Sequence, residues 1–96
     1  MIGLSKDKRV FEKFKIAGKH GLGFLYVFNK GISFEVSGKG VVLELENAEI
    51  ENVVVIKREK FEISWLEGNA KHESRFKSEK AKEIVEKIAA NLKISN

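Results

Sequence analysis

The sequence predicts a mainly β domain closed by one C-terminal helix, and two observations lead to this fold class. Apolar and polar residues alternate from about residue 10 to residue 77, which is typical of half-buried antiparallel strands. From residue 78 the apolar period becomes that of an amphipathic helix. A short sheet must close on itself or form two layers to bury its apolar face. We therefore expect one α+β domain over residues 1–96, a seven-stranded split barrel capped by the helix.

Turn signals divide the alternating region into strands. Asn29-Lys30-Gly31 lies between two apolar runs and is typical of a tight hairpin. Residues 18–23, 37–40 and 67–69 also contain glycine, which tolerates the backbone angles of turns. The seven strands are expected near residues 10–17, 22–28, 31–37, 41–46, 50–57, 60–66 and 70–77.

The last segment has the pattern of a single helix over about residues 78–93. Ser78 is the expected N-cap, and Glu79 complements the positive end of the helix dipole. An apolar stripe recurs at helical spacing and consists of Ala81, Ile84, Val85, Ile88, Ala89 and Leu92. One apolar face suits a helix that covers the open end of a barrel.

Composition and motifs argue against an enzyme. The chain has no cysteine, which excludes disulfides, thiolate metal sites and thiol nucleophiles. No serine lies in a Gly-x-Ser-x-Gly context, and no phosphate-binding glycine loop is present. Glu44 and Glu46 are two residues apart and share one strand face, which is usually the solvent face. With two histidines, a metal site would need carboxylates. We expect no catalysis, no metal and no cofactor.

The distribution of charged and apolar residues indicates where in the cell the protein is expected. No apolar run approaches the roughly 20 residues of a membrane helix, and the first residues lack the apolar segment of a signal peptide. Residues 1–40 hold eight basic and three acidic side chains, a balance that can attract phosphates or anionic lipid. We expect a cytoplasmic protein, peripheral at a membrane if the basic half binds lipid. Abundant Lys and Glu with no Gln is also a bias of thermophile proteins.

Residues 23–35 carry a resemblance to a known family. The segment Gly23-Phe24-Leu25-Tyr26-Val27-Phe28-Asn29-Lys30-Gly31-Ile32-Ser33-Phe34-Glu35 resembles the "G-x-L-Y-x-T-N-x-x-I-x-F" hairpin of GRAM and bacterial and archaeal PH-like domains. Residues 41–55, including Ile50-Glu51-Asn52-Val53, resemble the strands that follow, and residues 76–92 resemble the last strand and capping helix. Phe28 stands where the family usually has Thr, and Gly31 where it often has Arg.

The resemblance implies a PH-like fold, with two nearly orthogonal sheets and a C-terminal helix at one open corner. It implies a non-catalytic module that binds proteins, membranes or phosphoinositides. One fold of this kind hosts many binding partners, so the choice among them depends on individual residues.

The first hairpin loop is a candidate for anionic lipid headgroups. Lys15, Lys19 and His20 flank its glycines, and Lys13 and Lys30 extend the set. Converging basic groups on a flexible loop can hold a phosphate. Phosphoinositide-binding PH domains also carry a basic pair on the next strand, and residues 22–26 have no basic residue. The alternative is an ordinary solvated loop.

A protein or peptide partner, or a second copy of the chain, is the favoured function. Residues 53–56, Val-Val-Val-Ile, are apolar on both strand faces. Such a run is either covered on both sides or forms an interaction surface, with Val54 and Ile56 as its candidate residues. PH-like folds often bind an extended peptide between a sheet edge and the terminal helix.

Nucleic acid is the least favoured partner. It would require basic residues interleaved with aromatic rings on one exposed face. Lys13, Lys15 and Lys30 could form the basic strip. Most of the available phenylalanines fit the core alternation; they are Phe11, Phe14, Phe24, Phe28 and Phe34.

Overall fold

The computed structural model describes residues 10–95, with the side chains of residues 12–93. The expectation about a signal peptide concerns residues outside this part of the chain. The elements are β1 (Val10–Gly18), β2 (Gly21–Phe28), β3 (Gly31–Val36), β4 (Gly40–Glu46), a 3-10 helix (Asn47–Glu49), β5 (Ile50–Lys57), β6 (Lys60–Glu67), β7 (Ala70–Lys77) and α1 (Ala81–Ser95). The predicted fold class, seven strands followed by one helix, is confirmed.

The strands form an antiparallel arrangement in the order β4-β3-β2-β1-β7-β6-β5. The strand pairing in the middle of this arrangement is short, because β1 and β7 pair at a single position, Ala17 with Lys77. The sheet therefore consists of two halves, β1–β4 and β5–β7, which are contiguous in sequence and face each other across the core. β4 and β5 are the two edge strands, and the 3-10 helix connects them.

The core lies between the two halves and beneath α1. Phe76 joins the halves. Its ring packs edge-on against Phe34, with centroids 5.5 Å apart, and lies tilted against Phe61, with centroids 5.4 Å apart. The other buried apolar side chains are Phe14, Ile16, Leu25, Val27, Ile32, Val36, Leu45, Ile50, Val53, Ile63, Ala81, Ile84 and Ile88. The period-two alternation thus places one face of each strand inward.

Helix α1 covers one end of the barrel, where β2 ends and the 3-10 helix begins. Ala81, Ile84 and Ile88 are buried, with Val85 and Leu92 partly buried beside them, while Ala89 is exposed. The helix begins three residues later than expected. Ser78 is buried and accepts hydrogen bonds from the Lys80 amide at Oγ (3.1 Å) and from the Ala81 amide at its carbonyl oxygen (3.2 Å). Ser78 therefore closes a turn that leads into the helix.

Two amide side chains attach the β2–β3 hairpin to the covered end. Asn47 Nδ2 donates to the Asn29 carbonyl oxygen at 2.9 Å, and the Asn47 backbone N–H donates to the Lys30 carbonyl oxygen at 2.8 Å. Asn91 Nδ2, on α1, donates to the Phe28 carbonyl oxygen at 2.9 Å. These hydrogen bonds satisfy the carbonyl oxygens of Phe28, Asn29 and Lys30 at the end of β2. Without them, backbone groups shielded from water would lack a hydrogen-bond partner.

Gly31 explains one departure from the family hairpin. Here β3 approaches β4 so closely that a Cβ atom on Gly31 would lie 2.0 Å from the Leu45 carbonyl oxygen. A side chain such as Arg cannot be accommodated at this position without moving the backbone of one strand.

Candidate functional site

The five basic residues predicted to bind lipid lie in three separate places. Lys13 and Lys15 alternate with buried Phe14 and Ile16 and lie on the outer face of β1. Lys19 and His20 form the β1–β2 turn. Lys30 is in the β2–β3 turn, at the other end of β2. An eight-residue strand spans roughly 26 Å, so one small headgroup cannot contact Lys19 and Lys30 together.

The β1–β2 turn borders an open corner at the barrel end opposite α1. A cleft of about 470 Å³ lies here, with Phe34 and Phe76 at its apolar floor. Its polar rim includes Lys19, His20, His72 and Arg75. Strands β3 and β4 of one half and β6 and β7 of the other line this cleft, together with the β1–β2 turn.

Several of the charged groups at the open corner have partners. Arg75 Nε donates to Glu62 Oε2 at 3.2 Å, and His72 Nε2 lies 3.2 Å from Glu67 Oε1. The His72 ring also stacks on Trp65, with centroids 5.7 Å apart. Lys39 Nζ donates to the His20 carbonyl oxygen at 3.0 Å and joins the β3–β4 turn to the β1–β2 turn. Sequence reasoning missed Lys39 and Arg75, because no local motif connects these strands.

The β5 edge carries both residues predicted for protein interaction. Val54 pairs with Glu62 on the outer face and is 42% exposed. Ile56 is 41% exposed and lies in a register shift between the pairs Val55–Phe61 and Lys57–Lys60. Val53, in contrast, is buried in the core cluster beside α1. Val54 therefore points away from the helix, and the apolar run has one covered and one exposed face.

The outer face of β1 and β2 holds aromatic rings next to lysines. Because Leu25 and Val27 are buried, the alternate residues of β2 lie on the outer face. Phe24, Tyr26 and Phe28 are all partly exposed there. Lys13 and Lys15 pair across the strands with Tyr26 and Phe24. We call Lys13, Lys15, Leu22, Phe24, Tyr26 and Phe28 the lysine–aromatic face. The sequence did not single out Tyr26, although strand alternation could have done so.

Tyr26 has a perturbed hydroxyl group on this face. Partial desolvation raises the pKa of Tyr26 above its ordinary value of 10.0, and the hydrogen bond to Glu35 and its negative charge raise it further. The phenol donates to Glu35 Oε1 at 3.2 Å. Within residues 10–95, no group of three His, Asp or Glu side chains could hold a metal ion.

Comparisons with known proteins identify the fold. The sequence matches no protein-family model and no curated protein. Among solved structures, the chain is similar to the FERM and C-terminal domain complex of Drosophila Merlin, with a TM-score of 0.74 and 18% identity over 95% of this chain and 32% of that one. It is also similar to the myosin VII MyTH4-FERM MF2 domain of Dictyostelium discoideum, with a TM-score of 0.73 and 16% identity over 97% of this chain and 19% of that one.

These similarities show a PH-like fold, which is the fold of the C-lobe of FERM domains. The chain spans about a third of the length of the Merlin chain and about a fifth of the myosin chain. The GRAM-like assignment, the single-domain boundaries, the cytoplasmic location and the thermophile origin stay predictions. No helix in the described residues has the length and apolar character to cross a bilayer.

Proposed function

We propose that this domain is a non-catalytic binding module that takes an extended segment of a partner protein by strand addition at β5. The observation that carries the proposal is an edge strand with an exposed apolar surface. β5 pairs with β6 on one side only, so the other side offers backbone N–H and C=O groups to an incoming strand.

The two edge strands differ in their protection. β4 carries the exposed carboxylates Glu44 and Glu46, and charges on an edge discourage pairing with another chain. On β5, residues 52–56 contain no charged side chain, and the exposed Val54 and Ile56 can contact alternate side chains of an added strand. Lys57 flanks this run at one end and favours a partner with a carboxylate there, while Glu51 at the other end is paired with Lys71 at 3.4 Å.

A peptide selection with a matched control tests the proposal. Peptides selected from a random library against the wild-type domain should bind it and lose at least tenfold in affinity for Val54→Lys, because an edge lysine opposes strand addition. Val41→Lys is the control, since Val41 is exposed on the other edge and pairs with Glu35 as Val54 pairs with Glu62. Equal affinity for both variants would contradict the assignment to β5.

A second copy of the chain could use the same edge. In that case sedimentation equilibrium should show a concentration-dependent dimer that Val54→Lys dissociates and Val41→Lys does not. A dimer that persists in Val54→Lys would place self-association elsewhere.

The open corner supports a second candidate function, peripheral binding to anionic membrane headgroups. Lys19, His20 and Arg75 border one cleft there, together with Glu62 and Glu73, and basic side chains attract phosphate groups. Co-sedimentation with anionic vesicles should be weakened by salt and reduced by Lys19→Glu. Lys30→Glu, at the other end of β2, is the charge-matched control and should change binding much less. Equal loss in both variants would indicate net charge rather than a site.

A further inference from the structure

We propose that the lysine–aromatic face binds single-stranded RNA, with bases stacked on the rings of β2 and phosphates next to the lysines of β1. This inference is independent of strand addition at β5, which lies in the other half of the sheet. The arrangement that nucleic-acid binding requires is partly met here, since partly exposed aromatic rings lie next to basic residues on one face.

The rings of β2 form a regular row. Residues two apart on one strand face are separated by roughly 6.6 Å, and the rings of Tyr26 and Phe28 are nearly parallel, with centroids 6.4 Å apart and planes at 23°. Phe24 continues the row, and Leu22, which is 55% exposed, extends its apolar surface. Such a row suits successive unstacked bases, since every base has a π face for an aromatic ring.

Cations line one side of this row. Lys13 Nζ lies 4.4 Å from the ring centroid of Phe24 and 5.8 Å from that of Tyr26. A cation–π contact at the protein surface is weak, so Lys13 can move to a phosphate when a base covers the ring. Lys15 pairs with Phe24 on the same side.

A cleft of about 620 Å³ extends this basic side. Lys13, Lys15 and Phe24 form one wall, and Lys77 and Lys80 lie on its border, together with Glu59 and Glu79. Four lysines against two carboxylates leave a net positive channel in which a phosphate backbone can lie.

The opposite side of the row is acidic. Glu35 on β3 is exposed and pairs with Phe24, and its carboxylate accepts the Tyr26 hydroxyl. The exocyclic amines of adenine and cytosine can donate to such an acceptor, which uracil cannot do at the same position. A flat anionic bilayer would instead meet Glu35 as well as the lysines, and an acidic peptide would bring carboxylates close to Glu35. The charge polarity therefore fits a polymer with phosphates along one edge and donor groups along the other.

RNA suits this face better than DNA. The hydroxyl oxygen of Tyr26, whose proton is donated to Glu35, is a hydrogen-bond acceptor within the ring row. Ribose offers a 2′-hydroxyl donor that deoxyribose lacks. We expect weaker binding to DNA of the same sequence.

Fluorescence anisotropy with short labelled oligonucleotides tests the proposal. Oligo-A and oligo-C RNA should bind at low salt, more tightly than oligo-U RNA and oligo-A DNA. Phe24→Leu keeps apolar cover but removes the ring, and it should weaken binding by about fivefold or more, while Tyr26→Phe should keep the stacking contribution. Lys13→Ala with Lys15→Ala should reduce the slope of log affinity against log salt by about 1.4.

The charge-matched control replaces two exposed lysines of α1, Lys82→Ala with Lys93→Ala, and should leave that slope unchanged. Circular dichroism establishes that each variant is folded. The proposal is wrong if no oligonucleotide binds at low salt, if Phe24→Leu binds as tightly as the wild type, or if the α1 control loses as much slope as the β1 variant. DNA binding equal to RNA binding would overturn the assignment to RNA, and equal competition by an acidic peptide or anionic vesicles would overturn that to nucleic acid.

Discussion

Asn91 on α1 donates a hydrogen bond from its side-chain amide to the Phe28 carbonyl oxygen at 2.9 Å, across 63 positions of sequence. This bond fixes the capping helix to the end of β2. Asn91→Ala should lower the free energy of unfolding by about 1–2 kcal/mol, because the partly buried carbonyl group loses its donor. Urea unfolding measures the change. Lys93→Ala, at an exposed position of the same helix, should stay within about 0.5 kcal/mol of the wild type.

Phe76 packs against rings from both halves of the sheet. Phe76→Ala should destabilise the domain by about 3–5 kcal/mol, because it removes a buried ring and leaves a cavity between the halves. Thermal and urea unfolding give the difference. The comparison variant is Leu66→Ala, which truncates a side chain that is 42% exposed and should cost far less. Similar losses in both variants would show that Phe76 does not hold the halves together.

Gly31→Ala should disturb the pairing of β3 with β4. The new Cβ atom would lie 2.0 Å from the Leu45 carbonyl oxygen, so the strand backbones must separate, and we expect a loss of about 2 kcal/mol or more. Gly38→Ala is a useful comparison, since nothing lies within 4 Å of its Cβ position but its φ is +81°. Only the left-handed conformation opposes that substitution, at about 1–2 kcal/mol. Amide shifts confined to β3 and β4 in Gly31→Ala would localise the effect.

Tyr26 is the only tyrosine of the chain, so its ionisation can be followed by near-ultraviolet absorbance. Its pKa should lie above 10.0, and Glu35→Gln should lower that pKa, because the carboxylate charge disfavours the phenolate. Because the pKa of Tyr26 is higher in the folded chain than in the unfolded chain, the contribution of Tyr26 to the free energy of unfolding is complete below pH 10. This contribution is lost as the pH rises through the pKa of the folded chain. An unchanged titration in Glu35→Gln would contradict the hydrogen bond.

Strand alternation and glycine turns were sufficient to predict the order of the strands and α1 and each strand bound to within one residue, but not the 3-10 helix. The helix begins at Ala81 rather than near residue 78, although Ser78 Oγ accepts a hydrogen bond from the Lys80 amide, as expected of a capping serine. Sites were harder to predict than strands. Whether Phe24 and Phe28 belong to the core depends on which face of β2 is buried, and the sequence offers apolar residues on both. The separation of Lys19 from Lys30 was already implied by the strand predicted between them at residues 22–28.

The β1–β7 junction, with its single register pair Ala17–Lys77, makes the domain a candidate for fragment complementation. Residues 10–46 hold all of β1–β4, and residues 50–95 hold all of β5–β7 and α1. Neither fragment can bury its apolar face alone, since Phe34 in one packs against Phe76 in the other. A backbone cut within the 3-10 helix should therefore give two chains that fold only when mixed, and their reassembly would measure the affinity of one half of the barrel for the other.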